Sequence, residues 1–451
     1  MTGLTGFGLR GSAIRAARFL VLGLFCSAIA CRDVNHDLST ATRLREFLAS
    51  DLARPLLLHD HEELLAYLQE FPRDQYDLYS TKNGFSFFIE KGNKIDGIKQ
   101  IISQGQVWEE DSIELMAEYI RPGSAVIDAG AYIGTHTIAM AKLAGRRGHV
   151  FAFEPQKKVY RELVFNLLEN HVLNVTPLRF ALGGDVQIVE MNPPVDGIEA
   201  IVGVGRGGDR VELRPLDSFK LPNVSFMKID VEGFEDAVLD GARQTIADNR
   251  RPPILIEIMR AADYSVASPE VRARIEKTFD KLEAYGYAVT PLKHRDYLAL
   301  PAPDYLLGSI LSFANSGNAD GFKSRWWSAD ERWGSWTLGY GADLVLPLAT
   351  VPKRGLVLTG RMKALANARN PRQEIEIVIN GRQIDSWVFR DGDVQEKKAF
   401  IPVALLQKTD DKYYLHVGFR IKKPKSPAEL GLSADRRLLG LGVQELTVRE
   451  L

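Results

Sequence analysis

Cysteine is nearly absent from this chain. Of 451 residues only two are cysteine, Cys26 and Cys31, and both lie near the N-terminus. The body beyond them therefore has no disulfide framework, and at this length it needs none. An excess of one charge is also missing: the formal net charge is −1, which gives no electrostatic reason to expect a nucleic-acid partner. No internal repeat or low-complexity tract is evident, and the length allows two or three domains.

A long apolar run is lacking too. The 13-residue stretch Phe19 to Cys31 is too short to span a bilayer comfortably. It follows Arg10, Arg15 and Arg18 and ends in Ala28-Ile29-Ala30, the pattern of a secretory signal. Cys31 after Ala30 loosely matches a lipoprotein site, and an interfacial helix or an upstream extension are the competing readings. Residues 1–36 are thus expected to be a signal-like or membrane-associating segment.

One more absence is informative. Ala125-Val126-Ile127-Asp128-Ala129-Gly130-Ala131-Tyr132-Ile133-Gly134-Thr135 reads as strand, tight loop and helix, the opening βα unit of a parallel sheet. A dinucleotide-binding loop would have a glycine where Tyr132 stands, so that a pyrophosphate could touch the backbone. A pyrophosphate site is disfavoured, and a nucleoside ligand needs less room. The next apolar strand, His149 to Phe153, runs into Glu154, 24 residues after Gly130, where such folds put the acid that binds ribose hydroxyls.

These two segments, together with Lys228-Ile229-Asp230-Val231-Glu232-Gly233-Phe234-Glu235 and Val238-Leu239-Asp240-Gly241-Ala242, resemble the FkbM-type methyltransferases. The resemblance covers about residues 100–313. It implies a class I, Rossmann-like doubly wound α/β fold and S-adenosyl-L-methionine as cofactor. On this reading Asp128, Gly130, Tyr132, Gly134, Glu154 and Asp230 are the candidate cofactor-binding residues.

Strands and helices alternate from residue 100 to 315, which gives the α/β class with a mostly parallel sheet. Residues 37–99 form a helical and mixed extension, with helices expected at Leu44–Leu52 and His61–Glu70 and a strand at Gly84–Ile89. Glu109, Glu110 and Asp111 are expected to serve the N-terminus of a helix from Trp108 to Ile120. A single helix is expected over Glu235–Asp248, and Tyr287–Pro291 with Tyr305–Phe313 should close the sheet. Residues 185–217 are expected to elaborate the strand-end face, where α/β proteins place substrate contacts. Ser316 to Gly321 reads as a linker. Beyond it, Glu374–Ile379, Asn380-Gly381 and Ile384–Phe389 form a strong hairpin signal. Residues 322–451 are expected to be a small antiparallel β-sandwich associated with carbohydrate. Trp326, Trp327, Trp333, Trp336 and Trp387 lie there, as sugar-stacking platforms or as core.

Methyl transfer is an in-line displacement, so the protein mainly holds donor and acceptor in register. An alcohol acceptor also needs a base. Asp230, Glu232 and Glu257 are expected at the carboxyl ends of strands and are the candidate catalytic residues. Glu232 could instead cap a helix. The clustered carboxylates leave a divalent metal open without identifying one. His136 either reaches the ligand or is an ordinary packed residue. The expected activity is O-methylation of a glycan or glycolipid-like acceptor. The rivals are a glycan-binding protein with an inactive methyltransferase-like domain and a Rossmann-type oxidoreductase, which Tyr132 disfavours. The donor is a cytosolic metabolite, so the expected location is the cytoplasm, with peripheral association at the inner face of the membrane; export is the alternative.

Overall fold

The computed structural model describes residues 72–451, apart from 94–95, 195–197, 201, 259–266, 293–294 and 410–411. The N-terminal segment and the helices expected at 44–52 and 61–70 lie outside the described residues. Among the described residues no helix is long and apolar enough to cross a membrane.

The chain begins with a hairpin, β1 (Tyr76–Ser80) and β2 (Ser86–Glu90), and two helices, α1 (Gly97–Ser103) and α2 (Glu110–Tyr119). Then come β3 (Ala125–Ala129), α3 (Thr135–Ala144), β4 (His149–Phe153), α4 (Lys157–Glu169) and β5 (Val175–Leu178). Short strands β6 (Ala181–Leu182), β7 (Gln187–Met191), β8 (Val204–Gly205) and β9 (Arg210–Arg214) make a separate four-stranded sheet. The main sheet resumes with β10 (Val224–Ile229), α5 (Glu235–Asp240), α6 (Arg243–Asp248), β11 (Ile254–Glu257), α7 (Pro269–Ala284), β12 (Tyr287–Pro291) and β13 (Asp296–Pro301).

The main sheet has seven strands in the order β12-β13-β11-β10-β3-β4-β5. β3, β4, β5, β10 and β11 are parallel neighbours, and β13 enters antiparallel between β11 and β12. β3 and β4 are buried along their whole length, as expected of strands covered on both faces by helices. One core layer contains Ile127, Phe153, Met227 and Phe279, and the other Val126, Ile138, Leu163 and Phe226. The strand order reverses between β3 and β10, which opens a crevice at their carboxyl ends. The fold is therefore α/β with a mostly parallel sheet, as the alternation implies, in the class I arrangement that the resemblance implies.

Two expectations change. Residues 305–313 do not join this sheet. β13 takes that place, and Pro301-Ala302-Pro303 ends it, because proline has no N–H to continue a ladder. Ile310–Ser312 (β14) instead pairs with Leu439–Glu450 of the C-terminal sheet, and Tyr305 is buried in that sheet's core. The helix expected over 235–248 is broken into α5 and α6 where Gly241 packs against the Gly183 carbonyl; a Cβ there would lie 2.0 Å from that oxygen.

The C-terminal sheet continues through β15 (Lys323–Ser324), β16 (Ser335–Leu338), β17 (Gly341–Leu348), β18 (Leu356–Ala364), β19 (Gln373–Ile379), β20 (Arg382–Phe389), β21 (Gln395–Ile401), β22 (Gln407–Thr409), β23 (Lys412–Ile421) and β24 (Leu439–Glu450). It is antiparallel and folds over a single core of Leu346, Leu358, Ile377, Phe389 and Val417. Its hairpin turns at Asn380-Gly381, both at positive φ, which suits the twist of a two-residue loop.

The sandwich is locked onto the α/β domain. Arg325, only 2% exposed, bonds Glu276 (2.7 Å), Asp280 (2.7 Å) and Glu283 (2.6 and 2.8 Å) on α7 and pairs with Asp343 of β17 (2.9 Å). Trp326 meets Phe279 edge to face. Of the five C-terminal tryptophans, Trp326, Trp327, Trp336 and Trp387 are buried. Trp333 is partly buried, with the Lys363 ammonium 3.6 Å above its ring. These rings are occupied by packing.

Candidate active site

The crevice at the carboxyl ends of β3, β4, β10 and β11 is a cavity of about 810 Å³. Six of the eight candidate residues line it: Gly130, Tyr132, Glu154, Asp230, Glu232 and Glu257. Asp128 and Gly134 are not among the lining residues. Asp128 is fully buried in β3, where it accepts a hydrogen bond from Thr137 Oγ1 (2.6 Å) and so ties the strand to α3. Burial raises its carboxyl to about 6. Gly134 precedes α3 at φ 94°, and a Cβ there would press on Leu163.

Gly130 decides how closely two loops approach. Its φ is 86°, and a Cβ would sit 1.7 Å from the Asp230 carbonyl oxygen. No other residue fits without separating β3 from β10. Tyr132 follows at φ 49° and donates its N–H to Glu154 Oε2 (3.0 Å), while Gln156 N–H donates to Oε1 (2.9 Å). Each Glu154 oxygen keeps a second lone pair. Burial raises Glu154 to about 7, although both backbone bonds oppose that rise. The Tyr132 hydroxyl donates to Asp96. Glu154 thus fixes the glycine loop against the end of β4 and still faces the cavity, a geometry that fits a ribose diol.

The opposite wall carries the carboxylates. Lys228 Nζ lies 2.7 Å from Asp230 Oδ2. Burial works to raise Asp230, but the Lys228 ammonium and a bond from Glu257 outweigh it and hold Asp230 below the ordinary carboxylate range. Glu257 is pushed up to about 9, by burial and then by the Asp230 charge. Two adjacent carboxyls at different proton affinities share one proton near neutrality. Glu232, at φ 55°, is raised to about 7 by burial and by Asp230. Asp230, Glu232 and Glu257 each place one carboxylate oxygen within 4.8 Å of the others, close enough to hold a divalent cation. Lys228 already supplies one positive charge there.

Glu109 and Asp296 also line the cavity. The sequence points to Glu109 only as one of three helix-start acids. Glu110 and Asp111 do occupy the first turn of α2, but the Glu109 side chain makes no capping bond and faces the cavity. Burial and then Asp296 raise it to about 7. Asp296 escapes sequence reading because it lies on β13. His136 is buried behind the wall, with Nε2 3.4 Å from Glu109 Oε2, and burial lowers it to about 3, so it is neutral. It does not line the cavity. Apolar contacts come from Ile98 and Ile101 on α1, Phe153, Met191 and Val204 of the small sheet, and Val202 just before β8. The expected elaboration over 185–217 is therefore a wall of the site.

Residues 128–289 match the methyltransferase FkbM domain. No curated protein is significantly similar to the chain. Among solved structures, methyltransferase FkbM from Methylobacillus flagellatus is 16% identical, over 58% of this chain and 60% of that one, with a TM-score of 0.27. Aeropyrum pernix fibrillarin with bound S-adenosyl-L-methionine is 15% identical over 50% of this chain and 94% of its own, with a TM-score of 0.28. The CBM36-1 domain of a xylanase from the hindgut metagenome of Trinervitermes trinervoides is 9% identical over 32% of this chain and 97% of its own, at a TM-score of 0.22. The match to the methyltransferase FkbM domain thus runs from β3 to β12, across the part of the α/β domain that carries the cavity.

Proposed function

We propose that the protein is an S-adenosylmethionine-dependent O-methyltransferase acting on a neutral, hydroxyl-rich acceptor, a glycan or a glycolipid head group. The observation that carries this reading is the Asp230–Glu257 pair beside Lys228, in the same cavity as Glu154. S-adenosylmethionine supplies an electrophilic methyl group when it is bound. Glu154, held by two backbone N–H groups, would bind its ribose hydroxyls, and Gly130 lets it approach the backbone. Asp230 is ionised and accepts the acceptor's hydroxyl proton, while protonated Glu257 hydrogen-bonds Asp230 and keeps it oriented. The acidic lining supports a neutral acceptor, because a phosphate or carboxylate near these groups would be repelled.

Calorimetric titration of the full chain with S-adenosylmethionine and with NAD tests the cofactor. Binding of the first and not the second is expected; the reverse would turn the reading toward an oxidoreductase. Binding without methyl transfer to any hydroxylated acceptor, with or without added Mg²⁺, would leave a glycan-binding protein with an inactive domain.

A further inference from the structure

A second cavity, of about 580 Å³, lies between the two domains, and it takes no part in the site above. Val289, Thr290 and Pro291 at the end of β12 form one side, and Asn315, Ser316 and the 327–330 segment the other. β12 is parallel to β11 through the intervening β13, so its carboxyl end lies on the same edge of the sheet as Glu257. Two strand spacings separate β12 from β11, about 10 Å. Pro291 is in register with Tyr297, the neighbour of Asp296, which lines the first cavity. The second cavity therefore borders the strand that lies about 10 Å along this edge from Glu257, a span of roughly two sugar units.

The charges inside the second cavity are already matched. Lys323 is buried, and its three N–H donors go to Asp320 (2.9 Å), Asp330 and Ser335 Oγ (3.0 Å). The Arg325 guanidinium is taken up by α7 and Asp343. An anionic ligand would find no uncommitted cation among these lining residues. What the cavity offers is an exposed polar rim, Thr290, Asn315 and Ser316, over a floor that includes Val289 and Trp327. Neutral hydroxyls and the apolar faces between them match that chemistry.

We propose that this interdomain cleft is a binding subsite for the neighbouring units of a neutral polyhydroxylated acceptor whose reacting hydroxyl lies in the catalytic cavity. The inference rests on the proposed O-methyltransferase reading for the reaction, while binding at the cleft can be measured without turnover. It gives the sandwich a role in recognition through the junction it forms with β12, to which Trp327 is the one tryptophan that contributes.

The test uses the full chain and three variants. Ala329→Trp fills the cleft from an exposed loop position, and Thr290→Ala and Asn315→Ala remove rim groups without touching the ion pairs. The probes are neutral hexasaccharides (malto-, cello-, xylo- and chito-hexaose) and hexa-galacturonate as the anionic control, followed by calorimetry. At least one neutral hexasaccharide should bind the native chain, and Ala329→Trp should weaken it by about tenfold or more, the scale of a lost hydrogen-bonding contact set. The rim variants should follow in the same direction, and S-adenosylmethionine affinity should stay unchanged throughout. For a methylated acceptor, KM for the hexasaccharide should rise while the monosaccharide is turned over as before. Failure of every neutral probe to bind, preferential binding of the anionic control, or equal affinity in Ala329→Trp would each overturn the cleft proposal. Those results leave the cofactor titration intact, so the two readings fail separately.

Discussion

Arg325→Ala is the perturbation whose outcome the structure constrains most tightly. The guanidinium reaches from the sandwich into α7 and is the counter-ion of Glu283, which is 2% exposed and also accepts from Ser324 Oγ (2.7 Å). Removing the arginine leaves that carboxylate buried without its cation, a change that costs about 3–5 kcal/mol at pH 7. Asp343 is less affected, because Arg420 still bonds it at 2.8 and 3.0 Å. Glu283 already stands above the ordinary carboxyl range, with burial the larger cause and Arg325 opposing it. In the variant that opposition disappears and the folded-state proton affinity rises further. A carboxyl raised on folding favours the native state below its unfolded pKa, and that contribution is lost as pH rises through the folded pKa. The deficit of Arg325→Ala should therefore shrink as pH falls, by up to about 1.4 kcal/mol per pH unit for one proton. Urea denaturation of the native and variant chains at pH 8, 7, 6 and 5 measures this. Adding Glu283→Gln to Arg325→Ala should recover much of the loss at pH 7. A deficit below about 1 kcal/mol, or one that is the same at pH 8 and pH 5, would refute the argument that this buried cluster joins the domains.

Three further outcomes are expected. Asp230→Asn should lower kcat by about 10²–10⁴ with donor affinity kept, whereas Glu257→Gln, which still donates a hydrogen bond, should cost less than about tenfold; the opposite order in a steady-state assay would make Glu257 the base. Glu154→Gln should weaken S-adenosylmethionine by about 1.5–3 kcal/mol, and because Glu154 lies near 7, native affinity should fall as pH drops from 8 to 6, with a shallower slope in the variant by calorimetry. Removal of residues 1–36 should leave folding and donor binding intact and move the protein from the membrane to the soluble fraction, and an unchanged distribution after fractionation would overturn the membrane association expected of that segment.

The α/β half of the fold was legible because its determinants are local. A branched apolar run, a glycine loop and a following carboxylate fall within residues 125–154 and dictate a βα unit before any tertiary contact is known. β13 was not legible in the same way. Asp296–Pro301 is short, and what selects it over Tyr305–Phe313 is the gap between β11 and β12, a non-local fact. Glu109 carried an ambiguous signal, since acids at a helix start stabilise the helix whether or not they face a cavity. Its left-handed backbone and lack of a capping bond resolve the ambiguity, and neither can be read from residue types. The tryptophans show the reverse problem: clustering suggests a ligand surface, while burial depends on how eleven strands close.

The electrostatics of the cavity connect these parts. Glu109, Glu232 and Glu257 are raised first by burial and then by another carboxylate, and Arg295 is the one basic residue among the described lining residues. Such a lining holds protons near neutrality that an entering cation can displace, so a cationic donor gains attraction that a neutral product lacks. Transfer of a methyl group to a hydroxyl releases one proton. The Asp230–Glu257 pair is the group placed to keep it, since Lys228 leaves Asp230 ionised while Glu257 is protonated. On the proposed reading, the bound donor would lose its positive charge as the hydroxyl proton passes to Asp230 and cancels one negative charge there. The net charge of the cavity then stays the same through the step, and the carboxylates need not be desolvated or rearranged as it proceeds.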